Sequence, residues 1–158
     1  FRCAKINNNK TNVGGVQVAN TQLSDATHIM AYIALHTNDQ LKSEHIASSL
    51  NTDPTMVRRM MSKLRKAGLL TSIRGVARPT LACSPNDITL KDIYVAVVAK
   101  RNFLNVDHNT SETCPVGSVI PRVMEKYYCD IQNSAEARMS RVTLQDIIDD
   151  ISAIQQQT

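Results

Sequence analysis

Between Asp53 and Gly68 the sequence leaves little freedom of fold. Asp53 can accept hydrogen bonds from the first free amides of a helix. Pro54 suits the first helical position, where no amide hydrogen is needed. Val57, Met60, Met61 and Leu64 recur at helical spacing and form one apolar face, and Gly68 ends the helix. Thr55, Arg58, Arg59, Ser62, Lys63, Arg65 and Lys66 occupy the rest. Upstream, Ser43 caps a shorter predicted helix with Ile46, Ala47 and Leu50 inside, and the small Ala47 lets two helices cross closely. Asn51, Thr52 and Asp53 make the turn between the two helices. Downstream, two candidate strands, Leu70 to Ile73 and Thr80 to Cys83, flank Arg74-Gly75-Val76-Ala77-Arg78-Pro79. There Gly75 suits a turn and Pro79 limits pairing. A short basic helix carried on another, followed by a small hairpin or wing, is a shape that enters a DNA major groove.

Charge points the same way. The net charge is only +4, but no acidic residue lies between Thr55 and Thr80, while Asp146, Asp149 and Asp150 sit near the C-terminus. A concentrated basic patch implies a polyanionic partner. A solvated face would explain the run by itself; the helix pair around it is what argues for DNA. Aromatic content is 4% with no Trp, which disfavours stacking on single strands. The 158 residues suit one domain, or one domain with an attached helix, able to bury about 70% of the unfolded surface without disulfides. No apolar run reaches membrane-spanning length and no secretory signal is seen, so no membrane partner and a cytoplasmic location are expected.

Residues 1–20 are polar, without periodicity, and read either as a flexible arm or as a remnant of upstream sequence. Leu23, Ala26, Met30, Ile33 and Ala34 predict a first helix, with Ser24 as cap. Thr89 and Asp92 resemble a capping box before a helix that buries Leu90, Ile93, Val97 and Val98. Residues 101–114 read as a loop. Pro115 then opens a long helix on which Val116, Ile120, Val123, Tyr127, Ile131 and Ala135 form a seam suited to a second copy. Thr143 and Asp146 cap a last helix. The expected fold is mainly α: a winged helix-turn-helix domain at 21–100 with a small β-hairpin wing, then a long C-terminal dimerisation helix within 115–158.

The order of SEHIASSL, RRMMSKLRKAGLL, SIRG, ITLKDIY, CPVG, a long helix and TLQDI resembles the Rrf2 family of bacterial winged-helix transcription regulators. The likeness runs from about Leu23 to Ile151. It implies a homodimer held by the long helix and binding double-stranded operator DNA with the recognition helix and wing. Two departures stand out. The family's usual wing is glycine-rich, whereas Arg74 to Pro79 looks like the YwnA-type branch. Cluster-binding members carry three closely spaced cysteines before the long helix. Here that loop offers only Cys114, too few thiolates for an iron–sulfur cluster, so neither cofactor nor metal is expected.

The expected function is therefore a sequence-specific, homodimeric DNA-binding regulator, acting as a repressor. The alternatives are a winged-helix protein–protein module or a non-specific DNA-binding protein. Thr55, Arg58, Arg59 and Ser62 are candidates for base edges, because the N-terminal part of a recognition helix reaches deepest. Lys63, Arg65, Lys66, Arg74 and Arg78 are candidates for phosphates, with Ser43 at a helix start. Cys114, before Pro115 at a helix start that favours a thiolate, is the candidate redox thiol. Cys83 and Cys129 read as core residues. No nucleophile elbow, phosphate-cradling loop or paired catalytic carboxylates occur, so no enzyme activity is expected.

Overall fold

In the computed structural model, residues 21–37, 41–72, 79–98 and 102–157 are described. Among them are six α-helices and one two-stranded sheet: α1 (Gln22–Leu35), α2 (Ser43–Leu50), α3 (Pro54–Lys66), β1 (Leu70–Ser72), β2 (Pro79–Leu81), α4 (Leu90–Val97), α5 (Ile120–Met139) and α6 (Leu144–Gln155). A single 3-10 turn, Pro85–Asp87, precedes α4. The predicted mainly helical fold with a small hairpin is the fold observed. None of the helices among the described residues is long and apolar enough to cross a membrane.

The chain divides into two compact units, one holding 21–101 with 136–158 and the other holding 102–135, the division falling within α5. The expected grouping of 115–158 cuts across this boundary, because α6 packs on α1 and on the 3-10 turn.

In the larger unit, α1 contributes Ala26, Ile29, Met30 and Ile33 to the core, and α3 contributes Val57, Met60, Met61 and Leu64. Ile46, Ile88, Ile93, Val97 and Leu144 complete it, all at most 1% exposed. Each side chain of this kind contributes about 1.5–3 kcal/mol on burial. Strands β1 and β2 pair antiparallel, with Leu70 opposite Leu81 and Thr71 opposite Thr80. The Thr71 and Thr80 hydroxyls meet at 2.8 Å.

Two capping boxes tie α4 to α6. Thr89 and Asp92 satisfy each other's backbone groups at the start of α4, and Thr143 and Asp146 do the same for α6. The two caps then pair as a short antiparallel bridge, Leu90 N–H donating to Val142 O and Leu144 N–H to Ile88 O, each at 2.8 Å.

In the smaller unit, α5 begins at Ile120, five residues later than Pro115 suggested; Cys114 to Val119 form turns instead. Gly117 explains this. A Cβ there would meet Ser111 O at 2.5 Å, and Thr110 Oγ1 donates to Gly117 O at 2.7 Å. Backbone contact across the loop fixes the turn before helical geometry takes over. Phe103 N–H donates to Gln132 Oε1 at 3.0 Å, which holds the loop to α5.

Candidate nucleic-acid interface

Helices α2 and α3 form the helix-turn-helix pair, and backbone chemistry sets both ends of the turn. Asn51 takes a left-handed conformation (φ 50°), with its N–H on Ser48 O and Thr52 N–H on Ala47 O. Asn is among the few residues that adopt this region readily. Asp53 Oδ1 then accepts Thr55 N–H at 2.7 Å, and Pro54 occupies the first helical position. At the far end Gly68 (φ +75°) donates to Arg65 O while Leu69 N–H reaches back to Leu64 O. Both helices therefore end in the same six-to-one and five-to-two hydrogen-bond motif.

With its apolar face inward, α3 presents Thr55, Arg59, Ser62 and Lys66 outward, within about 60° of arc by helical geometry. Arg58 and Arg65 lie on the flank nearer 90°, also exposed. Arg59 has no ion-pair partner among the described residues. The open hydroxyls and cations of this face are a donor set for phosphate oxygens and base edges.

Two predicted site residues stand apart from this face. Lys63 lies on the opposite flank, where its ammonium donates to Val97 O at 2.9 Å and Gln22 Oε1 at 3.3 Å. It covers an orphan carbonyl at the end of α4, a favourable place for a cation. Ser43 is the first residue of α2, not its cap, which is Lys42; its hydroxyl accepts Arg58 Nε at 3.1 Å. Arg74 and Arg78 lie outside the described residues.

Glu44, which sequence reasoning missed, accepts Arg58 Nη2 at 2.7 Å. Its carboxyl is held below its ordinary pKa, by its own backbone N–H first and then by Arg58. Asp53 is lowered too, by the Thr55 hydroxyl first and then the Thr55 amide. A single acid at the start of α2, beside a basic helix, was the available signal.

Cys114 is exposed and a free thiol. Its pKa is lowered by the backbone N–H of Gly117 first and then Val116, amides of the turn rather than of α5. Cys83 is exposed, not core, while Cys129 is half-buried and disulfide-bonded. Of the expected seam, Val116 falls in the turn before α5 and is 65% exposed; on α5, Val123, Tyr127 and Ile131 lie open at 43%, 57% and 49%, with Ile120 and Ala135 half-buried.

The profile of the Rrf2 family, described as iron-dependent transcriptional regulators, matches residues 19–150. YwnA of Bacillus subtilis strain 168, assigned as an HTH-type transcriptional regulator, is 36% identical over 129 residues, 82% of this chain and 96% of its own length. A crystal structure of a protein assigned as DNA-binding is 33% identical with a TM-score of 0.65, covering 80% of this chain and 98% of that one. IscR of T. potens shares the fold at 24% identity and a TM-score of 0.65, covering 89% and 92%. Among the described residues no three His, Cys, Asp or Glu side chains are grouped to hold a metal ion, and Cys114 stands alone in its loop.

Proposed function

Because this chain belongs to the Rrf2 family of transcriptional regulators, we propose that it is a homodimeric, cytoplasmic repressor binding a two-fold operator in double-stranded DNA. The observation that carries this reading is the outer face of α3: capped at Asp53, seated by four buried apolar residues, and presenting hydroxyl and cationic side chains. Thr55, Arg58, Arg59 and Ser62 face base edges in the major groove, and Arg65 and Lys66 hold flanking phosphates. Arg74 and Arg78 of the wing reach the adjacent backbone. Lys63 braces α4 instead.

The second copy packs along α5 and the turn that precedes it. Val116, Ile120, Val123, Tyr127, Ile131 and Ala135 form an apolar stripe that is largely open in one protomer. Two copies joined there read half-sites about one helical turn apart. Occupying the operator excludes the transcription machinery.

The backbone cradle at Cys114 supports a redox-responsive form of this reading. A thiol held toward the thiolate reacts faster with electrophiles and peroxides. Cys114→Ser protein is expected to keep its DNA on mild electrophile treatment that releases the native chain; equal release by both would remove Cys114 from the proposal.

Selection of bound sites from a random duplex pool tests the central reading. A two-fold motif is the expected result, with Arg59→Ala losing about 1–3 kcal/mol at one base position. Steep salt dependence without any enriched sequence would instead indicate a non-specific coat or an acidic protein partner.

A further inference from the structure

Among the described residues, the Arg58 side chain on α3 is already held by protein, and the way it is held is specific. A guanidinium offers five N–H donors in a rigid planar fork. Nε spends one on Ser43 Oγ (3.1 Å), and Nη2 spends one on Glu44 Oε1 (2.7 Å). Ser43 Oγ in turn leans on the other carboxylate oxygen, Glu44 Oε2, at 3.4 Å. The side edge of the fork is thus closed against α2. Both Nη1 hydrogens and the second Nη2 hydrogen remain, and one hydrogen from each of these nitrogens forms the end edge. The side chain is still 56% exposed, which leaves room for a further acceptor.

We propose that Arg58 reads a guanine in each half-site through this end edge, with Ser43 and Glu44 as positioning residues that fix the plane of the fork. The proposal rests on the DNA-binding reading above and names what this position selects. Two donors at fixed spacing match the O6 and N7 acceptors that only guanine presents side by side in the major groove. Arg58 lies in the second turn from the N-terminus of α3, within reach of base edges. The adjacent carboxylate decides between the two kinds of acceptor. Glu44 repels a phosphate, but it tolerates the uncharged face of a base. It also offsets the charge of Arg58, so this arginine adds little to counterion release.

The test is site selection from a random duplex pool, followed by titrations on the selected operator at several salt concentrations. Arg58→Ala is expected to erase a guanine preference of about 5- to 150-fold at one symmetric position, the fold-change equivalent of a bidentate contact. It should leave the salt slope nearly unchanged, whereas Lys66→Ala, which removes one phosphate contact from each half-site, lowers the slope by about 1.8. Glu44→Ala should reduce preference at that same position by about 3- to 10-fold and spare the others. Glu44→Gln, which keeps an acceptor, should restore most of it, and Arg58→Ala/Glu44→Ala should lose no more than Arg58→Ala. A motif that keeps its guanine in Arg58→Ala protein, or Glu44→Ala protein weakened evenly at all positions, overturns this inference alone. A pool yielding no enriched sequence overturns the DNA-binding reading with it.

Discussion

Shortening Ile131 to alanine tests the paired state directly. Ile131 is 49% exposed in the single protomer. Burying a whole isoleucine side chain contributes about 1.5–3 kcal/mol, so covering the open half contributes about 1 kcal/mol. An isologous interface presents the residue twice, so Ile131→Ala costs the pair about 2 kcal/mol. At 1.4 kcal/mol per factor of ten, dissociation becomes about 30-fold easier. Val123→Ala, at 43% exposure, is expected to act in the same direction and somewhat less, having fewer methyl groups to lose. Leu35 on α1 is 45% exposed and lies outside the stripe, so Leu35→Ala serves as the control with no effect on association. Sedimentation equilibrium over a dilution series reads the dissociation constant, and thermal melts confirm that each variant folds. If Ile131→Ala and Val123→Ala dimerise like the parent, or if the parent stays monomeric at high concentration, α5 is not the seam.

The other expectations concern the DNA unit. Gly68→Ala meets no atom within 4 Å, so its cost is the left-handed backbone alone, about 1–2 kcal/mol and a lower Tm. Lys63→Met should lose about 0.5–1.5 kcal/mol of stability through the Val97 carbonyl while leaving the salt dependence of DNA binding unchanged. Acid melts should show Asp146, which is lowered by the Thr143 backbone N–H first and then by the Thr143 hydroxyl. A depressed folded pKa contributes stability above the ordinary carboxylate value near 4 and loses it as pH falls through the folded value. Asp146→Asn should therefore flatten the Tm profile below about pH 4; an unchanged acid limb would contradict the assignment.

What was legible in the sequence was local. The cap at Asp53, the spacing of Val57 to Leu64 and the stop at Gly68 each act within a turn or two, and α3 follows them closely. The start of α5 was not legible. Pro115 is a sound helix opener, but the approach of Gly117 to the Ser111 carbonyl is made across the loop and leaves no periodic trace. The same limit applies to the interface. Helical spacing placed Lys63 among the polar residues, yet it stands one step from Met60 and Leu64, where a long side chain reaches the neighbouring helix end. Ser43 looked like a cap because it opens an apolar pattern. Its hydroxyl instead faces an arginine 15 positions later, a pairing that needs the crossing of α2 and α3 to exist first. The membership of α6 was hidden for a similar reason: Leu144 and Ile148 mark a helix with an inner face, but not which core receives it.

The bridge between residues 88–90 and 142–144 bears on anyone wishing to cut out a minimal reader of DNA. A stop codon after residue 98 would strip α4 of its neighbouring strand segment and uncover Ile88, which is 0% exposed in the intact chain. The excised piece should precipitate or melt early. A working fragment has to be spliced, with a short linker standing in for residues 99–135 so that the tail still returns to close the far side of the recognition unit.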